Sequence, residues 1–453
     1  MTKITEDFDS ICAISSPPGK GGVALIRISG LNSILIVDKI FSKSINESKG
    51  YQIFYGKIIS QGEHIDDVLV TVFKNPQSFT GEDTVEINCH GSIFIQQKIL
   101  TLLCENGARI AEPGEFSKRA FLNRKLDLSQ TEAIADLINS KSSAAHSLAI
   151  KQLKGGVSSE LKTLRSKLIE FASLIELELD FSEEDVEFAD RNHLNQLIEA
   201  LKLHVEKLKN SFQYGNAVIN GVSTVITGRP NAGKSTLLNN MLNEQRAIVS
   251  SIAGTTRDTI EEIITINGID FRLVDTAGIR NTEDEIEKIG VAKTLEKINQ
   301  SSLVIYIYDC VETNEQEVTK DLKKYIDDNI PHIIVANKID LKKNVKEINK
   351  NHFKTSLNNK ESIEDLKKLI YNLFEKQNIY NSDIVISNSR HFEALKLAHD
   401  ELIKVENGLV ENKSGDLIAM DIRQILYYIG SITGEISSDE LLGNIFANFC
   451  IGK

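Results

Sequence analysis

Apolar and polar positions follow three rhythms along the chain. Short β-rich runs at 23–28, 68–73 and 84–88 lie among Gly and Pro punctuation, with one apolar helical segment at Ile93–Glu105. That mixture predicts a small α+β domain over residues 1–118. From 119 to 215 the pattern is helical: Leu194, Leu197, Ile198, Leu201, Val205, Leu208 and Phe212 recur at three- and four-residue steps as one apolar stripe. Gly155 and Gly156 interrupt this helical stretch. Seven acids and no base lie between Glu178 and Asp190, which reads as a solvated helix end or loop. From 222 to about 376, strand-like runs at Val222–Thr227, 271–275, 303–308 and 333–337 alternate with amphipathic segments. Such alternation means βαβ units and a mostly parallel sheet. After Ser382 the helical rhythm returns, so the helical zone reads as discontinuous, with its halves on either side of an inserted α/β domain.

The 453 residues suit two or three domains, at roughly 100–200 residues each. Hydrophobic residues at 41% and charged residues at 26% are ordinary for a soluble protein. No apolar run approaches the roughly 20 residues of a membrane-spanning helix. The first residues carry Glu6, Asp7 and Asp9 rather than a basic-then-apolar leader, so a cytoplasmic location and no membrane contact are expected. Cys12, Cys89, Cys104, Cys310 and Cys450 show no C-x-x-C pair, which implies reduced thiols rather than a disulfide framework or a zinc site. A net charge of −12 argues against coating nucleic acid. Any RNA contact would need a local basic patch or a partner.

The chemistry concentrates in the α/β segment. Gly228-Arg-Pro-Asn-Ala-Gly-Lys-Ser235 matches G-x-x-x-x-G-K-[ST] between a strand and a helix expected over 235–243. Its glycines let N–H groups of Asn231, Ala232, Gly233, Lys234, Ser235 and Thr236 wrap phosphates. Lys234 reaches the β- and γ-phosphates in a catalytic role, and Ser235 holds Mg²⁺. Asp275-Thr276-Ala277-Gly278 follows a second strand, with Asp275 placed for the Mg²⁺ shell and Gly278 for the γ-phosphate. Asn337-Lys338-Ile-Asp340 selects the base, because the Asp340 carboxylate accepts from both N1–H and the 2-amino group of guanine. Adenine would leave that acceptor, expected to be buried, unpaired. Thr355-Ser356-Leu357 stands where a further guanine-contacting loop belongs. The run Ser250, Ser251, Ile252, Ala253, Gly254, Thr255 and Thr256 reads as a switch loop around GTP, with Thr256 completing the Mg²⁺ shell. These motifs define a Ras-like P-loop G domain over 216–379 and a GTPase.

One position departs from that pattern. Ras-like enzymes place a water-orienting Gln after D-T-A-G; here Ile279 stands there. Arg257 and Arg280 are candidate arginine fingers, though surface ion pairs are the commoner role for such residues. The P-loop Asn231 suggests a different source of positive charge, a K⁺ ion. Asn231, Ser250, Ile252 and Thr255 would ligate it once the switch loop closes against a second G domain. Potassium suits such an oxygen cage because carbonyls replace its hydration shell.

The chain as a whole resembles the MnmE (TrmE) family of tRNA-modifying GTPases. The shared stretches are Pro17-Pro-Gly-Lys-Gly-Gly22 with Arg27-Ile-Ser-Gly30, Phe79-Thr-Gly-Glu-Asp83 and Pro113-Gly-Glu-Phe116. Arg119-Ala-Phe-Leu-Asn123, Lys125-Leu-Asp-Leu128, Thr433-Gly-Glu435 and Phe449-Cys-Ile-Gly-Lys453 extend them. The resemblance implies an N-terminal domain (1–118) that binds folate and dimerises, and a helical domain in two parts (119–215 and 380–453). It implies a homodimer that joins FAD-containing MnmG (GidA) in a heterotetramer. That complex adds an aminomethyl or carboxymethylaminomethyl group at C5 of the wobble uridine of certain tRNAs. The implied one-carbon source is 5-formyl- or 5,10-methylene-tetrahydrofolate, with contacts carried onto Arg27, Glu86, Lys125 and Lys453. It points to Glu287 as the catalytic general base or water orienter, and leaves Cys450 open between redox, nucleophilic and packing roles. Two other readings are an Era- or Der-like ribosome-assembly GTPase and a purely regulatory GTP switch. Residues 382–453 lack the G-x-x-G loop of the first, and no second P-loop supports the Der kind.

Overall fold

The computed structural model describes residues 9–180, 191–243, 262–275, 297–299, 301–326, 330–342, 345–376, 384–411, 413–436, 439–447, 449 and 452. Two compact units are distinguished: Met1–Ala135 with Gln152–Lys167 and Leu426–Lys453, and Asp136–Lys151 with Leu168–Ile425.

The first unit contains six strands, β1 (Ile11–Ile14), β2 (Val23–Ser29), β3 (Gln52–Ser60), β4 (Glu63–Phe73), β5 (Thr84–His90) and β6 (Arg109–Ile110). They form one sheet in the order β3-β4-β5-β2-β1-β6. Every neighbour is antiparallel except β1 with β6. Side chains alternate across a strand. Ala24, Ile26 and Ile28 of β2, Val68, Val70 and Val72 of β4 and Val85 and Ile87 of β5 therefore line one buried face. Helices α1 (Ser33–Ile40) and α2 (Ile93–Glu105) contribute Ile36, Val37, Ile99 and Leu103 to the same core. Arg27 and Glu86 fall at the alternate positions, directly opposite one another. The apolar pattern locates β2, β4, β5 and α2 but misses β1, β3 and α1. Further on, α3 (Glu115–Leu122), α4 (Leu128–Asn139), α5 (Ser143–Leu153) and α6 (Gly156–Asp180) follow. Gly155, at φ +86°, is the break between α5 and α6 that the glycine pair suggested.

The second unit carries α7 (Arg191–Asn210), α8 (Phe212–Asn220), β7 (Val222–Thr227), α9 (Lys234–Asn243), β8 (Glu262–Ile266) and β9 (Ile269–Asp275). It continues with β10 (Leu303–Asp309), α10 (Glu315–Tyr325), β11 (His332–Asn337), β12 (His352–Lys354), α11 (Lys360–Lys376) and α12 (Ser389–Val410). The sheet order is β12-β11-β10-β7-β9-β8. All pairs are parallel except β8 with β9. Helices cover the sheet, and Leu237 and Met241 of α9 and Ile363, Leu366 and Ile370 of α11 enter the core formed with Val222, Ile305 and Val335. The stripe on α7 is buried at Ile198, Leu201, Val205 and Leu208. It packs along α12, where Lys202 Nζ meets Glu406 Oε1 at 2.6 Å. The Phe212 and Phe392 rings stack at 4.5 Å. Residues before and after the β7–α11 segment thus form one helical layer. Two helices follow along the chain, α13 (Gly415–Thr433), divided between the two units at Leu426, and α14 (Asp439–Phe446), which belongs to the first unit. Most of the acidic run, 181–190, lies outside the described residues. Among the described residues no helix is long and apolar enough to cross a membrane.

Candidate functional site

The parallel register brings the motif-bearing strand ends to one edge. Thr227 of β7 pairs with Tyr306 of β10, Asp309 of β10 with Asn337 of β11, and Ile226 of β7 with Asp275 of β9. Ligands in open α/β sheets bind at the carboxyl ends of strands, and here the loop from β7 to α9 sits among those ends. Its shape depends on positive φ at Gly228 (+145°), Asn231 (+56°) and Gly233 (+104°). A Cβ on Gly228 would collide with the Ile307 carbonyl oxygen, and one on Gly233 would stand 2.5 Å from Asn337 Nδ2. Asparagine is among the few side chains that tolerate the left-handed region. Lys234 is 8% exposed, and its Nζ donates to the carbonyls of Gly228 (3.0 Å) and Arg229 (2.8 Å). Those acceptors orient the ammonium within the loop. Ser235 and Thr236 are exposed in the first turn of α9, as a Mg²⁺- and phosphate-facing pair must be. Ala232 is buried beneath the loop.

Asn337 joins the motifs to one another. Its Nδ2 donates to the Ala232 carbonyl at 2.9 Å, while its Oδ1 accepts from the N–H of Lys338 (2.8 Å) and of Leu357 (3.2 Å). One 5%-exposed amide therefore fixes the phosphate loop, the base-selecting loop and the Thr355–Leu357 loop at once. Asn240 of α9 adds a donor to the Leu357 carbonyl at 2.7 Å. Ser356 is half-buried. Asp340 is exposed at the rim, and the expected burial of its carboxylate concerns the state with a base bound. It sits three residues past Asn337, the last residue of a parallel strand.

Several expected ligands lie outside the described residues: Ser250, Ser251, Ile252, Ala253, Gly254, Thr255, Thr256, Thr276, Ala277, Gly278 and Glu287, with Arg257, Ile279 and Arg280. The backbone of Asp275 is described as the last residue of β9 and its side chain is not.

The first unit gathers a second cluster. Arg27 Nε donates to Glu86 Oε1 at 2.9 Å, and the Arg27 guanidinium lies 5.5 Å from the Phe79 ring centre and 5.7 Å from that of Phe116. The Gly452 carbonyl accepts from Arg27 Nη1 (3.3 Å) and Ser15 Oγ (3.1 Å), so the chain just before Lys453 is held here. Lys453 and Cys450 themselves lie outside the described residues. Phe446 and Phe449 anchor this segment beside Phe121 and Leu128. Lys125 is exposed and donates to the Pro76 carbonyl at 2.9 Å, on the loop that also carries Phe79. Aromatic faces, a carboxylate and guanidinium donors suit a flat, polar-edged ring such as a pterin, so the residues present fit a folate.

Residues with no motif of their own also shape the two sites. Arg229 Nε pairs with Asp321 Oδ2 of α10 at 2.8 Å, and Tyr306 Oη donates to the same oxygen at 2.7 Å. The Asp321 hydrogen bond holds Arg229 firmly protonated, and Arg229 anchors the phosphate loop to α10. Buried Arg119 contacts Asp9, Glu82 and Glu115, and Arg109 also pairs with Glu115. Burial alone would raise the Glu115 carboxyl, but hydrogen bonds from Arg109, the Glu112 N–H and Arg119 outweigh it and hold it at about 2. Glu82 also accepts from Ser29 Oγ at 2.8 Å, which ties the Phe79-bearing loop to β2. The carboxylates at 82 and 115 and the base at 119 stood inside the family stretches, yet no spacing rule joins them. Cys12 and Cys104, far apart in sequence, place their Sγ atoms 3.9 Å apart, and burial pushes the Cys12 thiol up to about 12.

Residues 128–450 match the family model described as the MnmE helical domain, and residues 10–125 match that of the GTP-binding protein TrmE N-terminus. The tRNA modification GTPase MnmE of Flavobacterium johnsoniae is 47% identical over 462 residues, covering 98% of this chain and 99% of that protein. Its counterpart in Cytophaga hutchinsonii is 48% identical over 461 residues, covering 100% and 99%. That of Bacteroides thetaiotaomicron is 46% identical over 471 residues, covering 98% and 99%.

Proposed function

The chain belongs to the MnmE family of tRNA modification GTPases, and on that footing we propose that it hydrolyses GTP to drive modification at C5 of the wobble uridine of tRNA. The observation that carries the GTPase part is the Asn337 amide, which links the phosphate loop to both guanine-side loops. Asn231, Ala232, Gly233, Lys234, Ser235 and Thr236 bind the phosphates, with Asp275, Thr276, Ala277 and Gly278. Asn337, Lys338, Asp340 and Ser356 bind the base. Ser235 and Thr256 hold Mg²⁺, Asn231 with Ser250, Ile252 and Thr255 holds K⁺, and Glu287 orients water. Arg27, Glu86, Lys125 and Lys453 hold a tetrahydrofolate. The partner is FAD-containing MnmG, acting on a homodimer in the cytoplasm. The helical layer of α7 and α12 supports a helical domain built from 119–215 and 380–453, with the G domain at 216–379 inserted and residues 1–118 preceding it.

Within the described part, Lys234 does the electrostatic work. Its ammonium donates to the Gly228 and Arg229 carbonyls at the mouth of the loop, and a bound γ-phosphate would offer it charged oxygens in a water-poor setting, where a charge-assisted hydrogen bond is strong. A strain deleted for the chain should lose the C5 substituent at the wobble uridine. Wild type should restore it, and Lys234→Ala should not. Full modification in the deletion strain would overturn the tRNA role. Full rescue by Lys234→Ala would leave the chain a tRNA-modification factor whose GTP hydrolysis is not needed.

A further inference from the structure

The Lys338 backbone is left-handed, at φ +66°, a conformation that Lys adopts rarely and that persists only where the surroundings impose it. Two contacts impose it here. The Lys338 N–H donates to Asn337 Oδ1, and Lys338 Nζ reaches Asp309 Oδ2 at 2.6 Å. Asp309 ends β10 directly opposite Asn337 of β11, so the parallel register delivers its carboxylate to the start of the base-selecting loop. The Asp309 side chain is 4% exposed, and its other oxygen accepts from the Val311 N–H at 2.8 Å. We propose that Asp309 is a positioning residue of the guanine site, whose carboxylate holds the Lys338 ammonium away from Asp340 and so keeps Asp340 open to the base.

The need for such a tether follows from distance along the chain. Lys338 and Asp340 are two residues apart on one exposed loop, with opposite charges. Asp340 and Glu312 are the other acids whose charge acts on the ammonium. A lysine stem is long and flexible, and its ammonium is a point charge with three rotatable donors. Released from Asp309, it has Asp340 within reach. A carboxylate engaged by an ammonium has fewer lone pairs to offer the paired N–H donors of guanine. The tether is strong where it must be. Burial alone would raise the Asp309 carboxyl, but the Lys338 hydrogen bond and the Val311 N–H keep it below its ordinary value. The Asp309 hydrogen bond in turn raises Lys338.

This inference rests on the reading of Asp340 as the guanine acceptor, and the test separates the two. Binding of GDP and of inosine diphosphate, which lacks the 2-amino group, is measured on the full chain by displacement of a fluorescent GDP. Wild type should prefer GDP by about tenfold or more, the weight of one charge-assisted hydrogen bond. Asp309→Asn keeps the side chain's size and an acceptor for Val311 but loses the charge; its preference should fall towards unity while inosine diphosphate still binds. The double variant Asp309→Asn with Lys338→Met removes the competing ammonium and should recover the preference. A purely structural role would weaken both nucleotides together and would not be rescued by the second change. An unchanged preference in Asp309→Asn, or a failure of Lys338→Met to restore it, overturns the proposal. Wild type binding the two nucleotides equally would overturn the Asp340 reading and this proposal with it.

Discussion

The two candidate sites hold their central cations in opposite ways. Lys234 is oriented by the backbone carbonyls of Gly228 and Arg229, while Arg27 is oriented by the carboxylate of Glu86 and by two aromatic rings. A carbonyl fixes direction and carries no net charge of its own, which suits a loop that meets a polyanion. A carboxylate cancels charge, which leaves the Arg27–Glu86 pair itself nearly neutral, polar at its edge and apolar at the faces of Phe79 and Phe116. The first arrangement suits triphosphate electrostatics; the second suits a heterocycle with donors and acceptors around a flat ring. Chain geometry explains the difference. Lys234 opens a helix, where loop carbonyls are at hand, whereas Arg27 lies on a strand whose antiparallel partner presents Glu86 at the same level.

The comparison is broken most directly at the phosphate loop. If positive charge is what that loop is built to collect, a monovalent cation beside Asn231 should add to Lys234 what an arginine finger supplies elsewhere. The left-handed Asn231 is exposed in the phosphate loop. GTP turnover in potassium buffer should exceed that in sodium buffer at equal ionic strength by about tenfold at least, against roughly 10³–10⁵ for a full finger. Asn231→Ala should erase the difference. Equal rates in the two salts would return the missing charge to Arg257 or Arg280.

A second break lies at the neutral site. Calorimetry of 5-formyltetrahydrofolate on the full chain should show binding, weakened roughly tenfold or more in Arg27→Ala. That change strips the cation from between Phe79 and Phe116 and leaves Glu86, with a side chain 23% exposed, without its partner. Absence of binding heat with the full chain at high ligand concentration would remove folate from this site. Wild-type affinity in Arg27→Ala would move the ligand elsewhere.

How much of each site was legible follows from the same contrast. Backbone cradles need residues at fixed short spacings, so the phosphate loop and the Asn337–Asp340 run could be read directly. The partners that hold them could not. Asp309 reaches Lys338 only through the register of two parallel strands, 29 residues away in sequence. Arg27 and Glu86 face each other across 59 residues and were identified by family resemblance alone. Among the elements, β3 was missed because its apolar pattern misleads: Ile53 and Tyr55 point outward at 67% and 62% exposure. The hairpin of β8 and β9 carried a readable signal that went unused. Asn267 and Gly268 both take positive φ, +49° and +84°, as the two-residue turn between Ile266 and Ile269 requires.

The smallest effect sharpens the comparison through pH. In the first unit, Glu115 is the carboxylate whose ion pairs make it sensitive to pH. Glu115 has a folded value of about 2 against an ordinary 4.5, because Arg109, the Glu112 N–H and Arg119 together outweigh the cost of its burial. A folded value below the unfolded one means that the carboxylate stabilises the fold fully above about pH 4.5. That contribution is lost progressively as the pH falls towards 2, and it amounts to about 3 kcal/mol at most. Glu115→Gln removes the titrating group and leaves Arg109 and the buried Arg119 short of an anion. It should therefore lower stability at neutral pH and flatten the loss on acidification between pH 4.5 and 2. Urea unfolding followed across that range measures both. An acid limb equally steep in wild type and Glu115→Gln would assign the sensitivity to other carboxylates.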